Sequence, residues 1–407
     1  MNNKTCVIRG EEVRYLGSFD DVARGRYVNG GFETVDGVRS MVGVVCKDCL
    51  PVLNCAVNAH FLDGSEKKKR AGILRDIRDP AFVTAAVQNH ARRRVEMLLG
   101  DLENDTDWEQ VVRELKTFLM HGLDINNFDE GPEHGLDPKR ALACMLEEQR
   151  TMKFIKGLYG ALEALDEGRE DIEMVDAGCG PVLLFGILAA LRSDKTMVTC
   201  LEINEGSARM AVKIIERLRL ENRVKVVNCD ATKYQHPRPI DLLVSETMYS
   251  GLTEEPQAQI FGNLAPQVVD DGIVMPESIS VEAGLVSKAL VSLHGSRFAM
   301  PQMAEGCVYF AHEPVEVARL TRSNLLKTVD GRISTQGVRP GEYLVGLRSK
   351  IHVHGNVTVS GGDSRISAPV LPPTYLRIAD RIADTENNVR VRYTPGVAVE
   401  SIVPTIE

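Results

Sequence analysis

The sequence predicts an α/β protein whose doubly wound, Rossmann-like sheet is preceded by a mainly helical region and followed by an antiparallel β region. Three observations lead there. From residue 172 to 276 short β-rich runs alternate with amphipathic helices, the rhythm of a mostly parallel sheet. Within that stretch a glycine turn follows the first run, and Asp176, Glu202 and Asp230 stand at the ends of the first three, where a parallel sheet meets its ligand. After residue 278 the apolar period falls to two, with Gly and Pro punctuation, as antiparallel strands require.

Residues 1 to 65 hold short alternating segments broken by turns such as Asn29-Gly30-Gly31 and Asp63-Gly64, and read as small strands. After the basic tract 67–70, apolar residues at three-and-four spacing predict helices over 71–77, 82–99 and 108–119. Residues 1–125 are therefore an accessory, mainly helical domain with short N-terminal β segments, and the polar segment 126–137, with Gly131, Pro132 and Gly135, is a linker. A second domain, 138–277, opens with a helical pattern over 138–165 through Leu142, Met145, Leu146, Met152, Ile155 and Leu158. Its strands are expected at 172–176, 196–201, 224–228, 240–244 and 272–276, and its helices at 182–191, 207–218 and 255–264. The β-rich remainder, 278–407, is a third, barrel-like domain.

Composition narrows the function. A chain of 407 residues with 43% hydrophobic content can bury a full core. A formal charge of −9 argues against a general grip on nucleic acid, and the basic stretch 90–94 reads as a solvated helix face. No apolar run reaches the ~20 residues of a bilayer-spanning helix. Nine cysteines, an odd total, and the lack of a basic-apolar leader point to a reducing cytoplasm. Cys46 and Cys49 form a lone Cys-x-x-Cys pair; with Cys55 they lack a fourth zinc ligand, and His352 and His354 make no compact cluster, so no metal site is expected.

The segment Glu173-Met-Val-Asp-Ala-Gly-Cys-Gly-Pro places Asp176 at a strand's carboxyl end, and Gly178 and Gly180 where the chain bends around a ligand before a helix that Pro181 is expected to start. Leu183 stands where a dinucleotide fingerprint has its third glycine, which disfavours a phosphate-gripping loop. Glu202 offers a carboxylate for both hydroxyls of a ribose, and Asp230-Ala231 ends the third strand where its acid can meet an adenine amino group. The fourth strand ends at Ser245-Glu246, and Thr247-Met-Tyr-Ser-Gly-Leu-Thr-Glu-Glu255 follows. Two convergent carboxylates are costly unless a cation lies between them, and a planar guanidinium matches paired carboxylate oxygens. Met248 and Tyr249 are candidates to line the same pocket or to pack in the core, and Glu255 has an alternative as a first-turn helix residue.

From Asp176 to Gly180, with Glu202 and Asp230, the chain resembles the class I S-adenosylmethionine-dependent methyltransferases. The loop from Glu246 to Glu255 resembles the double-glutamate loop of the protein arginine methyltransferases. Met145-Leu-Glu-Glu-Gln-Arg150-Thr looks like that family's helix before the first strand, which implies that Arg150 binds the methionine carboxylate of the cofactor. Gly272-Ile-Val-Met-Pro276 resembles its fifth-strand region. Two family features have no counterpart: an aromatic-rich helix near residues 125–140, where only Phe128 stands, and a Thr-His-Trp loop, in whose place Pro369 to Tyr375 reads Pro-Val-Leu-Pro-Pro-Thr-Tyr. The second departure weakens recognition of a peptide arginine and favours a small guanidino substrate, as in related bacterial enzymes that methylate free L-arginine in natural-product assembly, including a nitrosourea pathway.

The resemblance thus implies transfer of a methyl group from S-adenosylmethionine, leaving S-adenosylhomocysteine, to a guanidino nitrogen, with Glu246 and Glu255 catalytic. Free L-arginine or a related metabolite is the expected substrate, without nucleic-acid or membrane partners. A protein arginine, an oxygen or carbon acceptor, and a non-catalytic cofactor-binding interaction protein stand as alternatives. The family also implies a homodimer.

Overall fold

The computed structural model describes residues 3–5, 12–14, 31–33, 39–41, 80–99, 108–120, 136, 138–252, 255–287, 310–323, 327–328, 331–338, 342–361, 363–370 and 388–391. The expected helix at 71–77, the linker around Gly131 to Gly135, Phe128, Cys46, Cys49, Cys55 and residues 371–375 lie outside them. By contacts the chain divides into two compact units: Met1–Asp101 with Thr117–Asp124 and Lys213–Asn222, and Leu102–Lys116 with Ile125–Val212 and Arg223–Glu407.

In the first unit β1 (Asn3–Thr5) pairs antiparallel with β2 (Glu12–Arg14), and β3 (Gly31–Glu33) with β4 (Arg39–Met41). Helix α1 (Pro80–Leu99) follows and buries Ala91, Val95 and Leu99 at spacings of four. Helix α2 (Trp108–Met120), whose residues are divided between the two units, buries Leu115 and Leu119 in the same way.

In the second unit helix α3 (Pro138–Met145) and helix α4 (Glu148–Asp166) occupy the segment expected as one helical run. That expectation fails at Leu146 and Glu147. Glu147 takes extended backbone angles (φ −76°, ψ 93°), the N–H groups of Leu146 and Glu147 bond back only to Ala143 and Cys144, and Leu146 is exposed despite its apolar spacing.

The central sheet runs β7-β6-β5-β8-β9, all parallel: β5 (Ile172–Ala177), β6 (Thr196–Glu202), β7 (Val224–Asn228), β8 (Ile240–Ser245) and β9 (Val268–Met275). Chain order reverses between β5 and β8, which is the switch point where open α/β sheets hold ligands. Every residue of β5 is buried, whereas the edge strands β7 and β9 carry exposed positions, as a sheet covered on both faces dictates. Helix α5 (Leu184–Arg192) packs on β5 and β6, and α7 (Gln257–Leu264) on β8. Helix α6 (Glu205–Leu218) joins β6 to β7. Phe154, Ile155, Leu158, Ile172, Met174 and Phe261 are fully enclosed. The architecture is α/β and Rossmann-like, as expected.

β10 (Ser278–Ser287) turns the chain into an antiparallel sheet ordered β12-β11-β10-β14-β15. β10 pairs with β11 (Val315–Thr321) and β14 (Tyr343–His354), β12 (Lys327–Thr328) with β11, and β15 (Val357–Val359) with β14; the long register of β10 with β14 runs from Ser278 opposite His352 to Ser287 opposite Tyr343. A separate pair joins β13 (Gly331–Ser334) to β16 (Asn388–Val391). Helix α4 lies on β14 and β15, and Lys153 Nζ reaches Asp363 Oδ2 at 2.6 Å.

Gly157 sets that approach. A Cβ there would stand 2.5 Å from Val353 Cγ1 and 3.3 Å from Met275 Sδ, both in the core. We expect Gly157→Ala to lower stability by about 1–3 kcal/mol through overpacking, read as an earlier urea midpoint. An unchanged midpoint would show that α4 moves freely on the sheet.

Candidate functional site

The carboxyl ends of β5, β6 and β8 lie side by side, with Ala177 opposite both Leu201 and Ser245. The turn after β5 is drawn onto β6 because Gly178 N and Cys179 N both donate to Leu201 O, at 2.8 and 3.1 Å. Gly178 (φ +78°) and Gly180 (φ +66°) take left-handed angles that favour glycine, and a Cβ on Gly178 would lie 2.1 Å from Thr247 Cγ2. The glycine turn therefore touches the loop that carries Glu246.

Helix α5 begins at Leu184, not at Pro181 as the sequence predicted. Residues 181–183 are spent in a turn that ends with Leu183 at φ +40°, and Leu183 offers no side-chain cap. Asp176 supplies one from the neighbouring strand: its Oδ2 accepts from Gly186 N at 3.1 Å, satisfying an N–H of the helix's first turn. Asp176 is only 2% exposed, and burial pushes its carboxyl up to about 7 despite that bond.

Glu202 accepts from Gly180 N at 2.8 Å with one carboxylate oxygen and from Asn204 N at 2.7 Å with the other. It braces the glycine turn, and burial raises its pKa. Asp230 Oδ1 accepts from Thr232 N (2.9 Å) and Thr232 Oγ1 (2.6 Å), while Oδ2 faces Lys233 Nζ at 2.9 Å; the Thr232 hydroxyl and Lys233 hold its pKa down. Ala231 is buried, and its carbonyl accepts from Asn263 Nδ2 at 2.9 Å.

Arg150, at the start of α4, is buried. Its Nη1 stands 3.5 Å from Glu246 Oε1, its Nη2 donates to Cys144 O at the end of α3, and Glu147 Oε1 lies 4.0 Å away. Burial opposes its charge, but Glu246 and Glu147 outweigh burial and raise its pKa. Glu147, which lies within the motif at 145–151 but is assigned no role by it, accepts from Arg365 N at 3.0 Å and from Ser364 Oγ, with Arg365 Nε at 3.7 Å.

Glu246 follows the last residue of β8 and is pushed up to about 7, chiefly by burial. Arg150 opposes that rise, and the charges of Glu255 and Glu147 add to it. Glu255 thus acts on Glu246, and it lies in a bend two residues before α7 instead of opening that helix. Pro256 between them sits outside helical angles (φ −83°, ψ 28°), so the helix starts only at Gln257. Met248 is buried at 2% exposure, while Tyr249 is half-buried and accepts from Leu252 N at 2.9 Å in a 3₁₀ turn, Ser250–Leu252.

The antiparallel sheet holds this loop. Gly251 N donates to Ser349 Oγ on β14 at 2.9 Å, and Ser250 Oγ donates to Ala368 O. Gln257, fully buried, bonds to both Ser245 and Thr247. None of Ser349, Ala368 or Gln257 had a sequence signal: Ser349 and Ala368 lie 98 and 118 residues from their partners, and Gln257, ten residues from Thr247, belongs to no motif. The buried guanidinium of Arg150 therefore faces the carboxylates of Glu147 and Glu246, and Glu255 adds its charge to that of Glu246. Among the described residues no group of His, Cys, Asp or Glu is arranged to hold a metal ion, and no helix is long and apolar enough to cross a membrane.

No family model matches the chain, and no curated protein matches it. Among solved structures it is similar to the Trypanosoma brucei PRMT1 enzyme-prozyme heterotetrameric complex with AdoHcy, at 12% identity and a TM-score of 0.39, covering 53% of this chain and 74% of that one. It is also similar to the crystal structure of PRMT6, at 13% identity and a TM-score of 0.46, covering 66% of this chain and 98% of that one. At those values neither likeness bears on activity, and the fold stands on the strand order itself.

The titration of Asp176 gives a test independent of any ligand. A carboxyl at about 7 when folded and about 4 when unfolded binds its proton more tightly in the folded state, so its contribution to stability is full below about pH 4 and is lost as pH rises to 7. We expect Asp176→Asn, which keeps an acceptor for Gly186 N, to be more stable than wild type at pH 7 by on the order of 1–3 kcal/mol, with the difference shrinking towards pH 4. Parallel stability curves for the two proteins in urea would contradict the burial of that charge.

Proposed function

We propose that the protein transfers a methyl group from S-adenosylmethionine to a guanidino nitrogen, most favourably of free L-arginine or a related small metabolite. One observation carries the reading: Glu246, raised by burial and by two neighbouring carboxylates, already pairs with a guanidinium, that of Arg150. An acid that pairs with one guanidinium offers the oxygens that another would need, and Glu255 adds a second carboxylate near it.

The donor set fits the cofactor. Arg150 is a buried cation for a carboxylate, the glycine turn brings backbone close, and Glu202 and Asp230 stand at successive strand ends as acceptors for ribose hydroxyls and an exocyclic amine. Glu202 and Asp230 keep lone pairs beyond those their own loops use. S-adenosylmethionine supplies, when bound, an electrophilic methyl group and a sulfur leaving group.

The chain's residues then do three things. Arg150 would hold the cofactor's carboxylate and so leave Glu246 to the substrate. Glu246 accepts N–H bonds from the guanidinium and concentrates electron density on the attacking nitrogen, while Glu255 holds its other edge. Methylation would displace an N–H proton from the guanidino nitrogen, and Glu255 would take it directly or through water. Alignment, more than acid-base strength, supplies the rate.

Purified protein incubated with S-adenosylmethionine and a panel of arginine, its small analogues and Arg-Gly peptides should yield a mass increase of one methyl group on a free guanidino compound. Transfer to a phenol or an acid alone would replace the reading with oxygen or carbon methylation, and cofactor binding without turnover would replace it with an interaction role. Glu246→Gln should lose about 100-fold or more in kcat while cofactor affinity stays within about threefold. Because Glu246 must be ionised, kcat/KM should rise as pH passes through about 7. Normal turnover by Glu246→Gln would remove Glu246 from the chemistry.

A further inference from the structure

We propose that Gln257 is a positioning residue that fixes Glu246 against the glycine turn, acting through Thr247; the inference rests on the guanidino reading above. Gln257 is the first residue of α7 and is 0% exposed. Its Oε1 accepts from Thr247 N at 2.8 Å, Thr247 Oγ1 at 2.7 Å and Ser245 Oγ at 3.3 Å, and its Nε2 donates to Ser245 O at 3.1 Å. One side chain therefore holds the residues on both sides of Glu246.

The same group reaches the nucleotide side. Thr247 Cγ2 fills the space above Gly178, where an added Cβ would be 2.1 Å away. Gly178 is itself bonded to Leu201 O on β6. The chain of contacts runs from β6 through Gly178 and Thr247 to Gln257, with Glu246 between the two clamped residues. Glu255 lies two positions before Gln257, so the start of α7 also bears on the second acid.

An ordinary buried glutamine would also satisfy its amide, but it would have no reason to spend each of these bonds on the two neighbours of Glu246. With its backbone held on both sides, Glu246 has only its own side-chain torsions left. Fixing them within a fraction of an ångström is what an alignment mechanism demands.

Gln257→Met keeps length and volume and deletes the hydrogen bonds. With free L-arginine and S-adenosylmethionine we expect kcat to fall about 10–100-fold, while cofactor affinity stays within about threefold and binding stoichiometry is unchanged. The acid limb of the kcat/KM profile should also move to lower pH, because a loosened Glu246 reaches water. Arg150, Glu147 and Glu255, the groups that face it, are unaltered by the substitution. A merely structural role lowers stoichiometry in step with kcat and leaves that limb in place. Thr247→Val retains the methyl over Gly178 but loses one donor, and should show a smaller shift of the same kind; if Gln257→Met does not fold, this variant decides alone. Wild-type kinetics and pH profile in either folded variant would overturn the inference. Failure of the wild-type protein to methylate any guanidino compound would instead overturn the guanidino reading, and this inference with it.

Discussion

The rest of the site depends on a carboxylate, Glu246, that is largely shielded from water, its side chain 15% exposed, and shares its surroundings with like charges. Burial and the fields of Glu255 and Glu147 disfavour its ionised form, and Arg150 at 3.5 Å supplies the compensating charge. Such a cluster is costly to build and is sustained by rigid surroundings. Those surroundings are visible. Arg150 is tied back to the end of α3, Glu147 to Ser364 and Arg365, and the loop after Glu246 to Ser349, Ala368 and Gln257.

The two sheets divide the labour. The parallel sheet brings Asp176, Glu202, Asp230 and Glu246 to its carboxyl edge, and Ser349 of the antiparallel sheet, with Ala368 in the segment after it, supplies bonds that keep the acidic loop from drifting. The opposite, amino-terminal edge is closed by a different polar set, in which Asp241 accepts from Glu173 N at 2.7 Å and pairs with Arg169, and His236 Nε2 meets Glu173 Oε1 at 2.8 Å. Burial lowers the His236 pKa. Those bonds bear on strand register, so the sheet gathers its candidate site residues at one edge and this bracing at the other.

Much of the fold was legible because β5, β6 and β8 are apolar runs that a doubly covered sheet must bury, and the period-two stretch after residue 278 has one reading in a folded domain. The break at Leu146 and Glu147 was not, since Leu146 continues the helical spacing while lying exposed. Pro181 carried a helix-start signal that the left-handed Leu183 overrode. At the site, Asp176, Glu202 and Glu246 could be placed from strand ends. What held them could not: Glu147 meets a segment 218 residues away, and Asp176 caps a helix whose own cap position is a leucine. Such partners arise from tertiary approach, and no local pattern encodes them.

If a guanidinium seats on Glu246, it must ionise a carboxyl that stands at about 7 with Arg150 beside it and neither ligand bound, and higher once the cofactor's carboxylate takes Arg150's charge. Calorimetric titration of L-arginine into protein saturated with S-adenosylhomocysteine, repeated at pH 6 in buffers of different ionisation enthalpy, counts the protons released. Close to one proton per site is expected, because at that pH the carboxyl is mostly protonated before binding and charged after it. Binding with no proton released, or with uptake, would contradict a guanidinium held on Glu246.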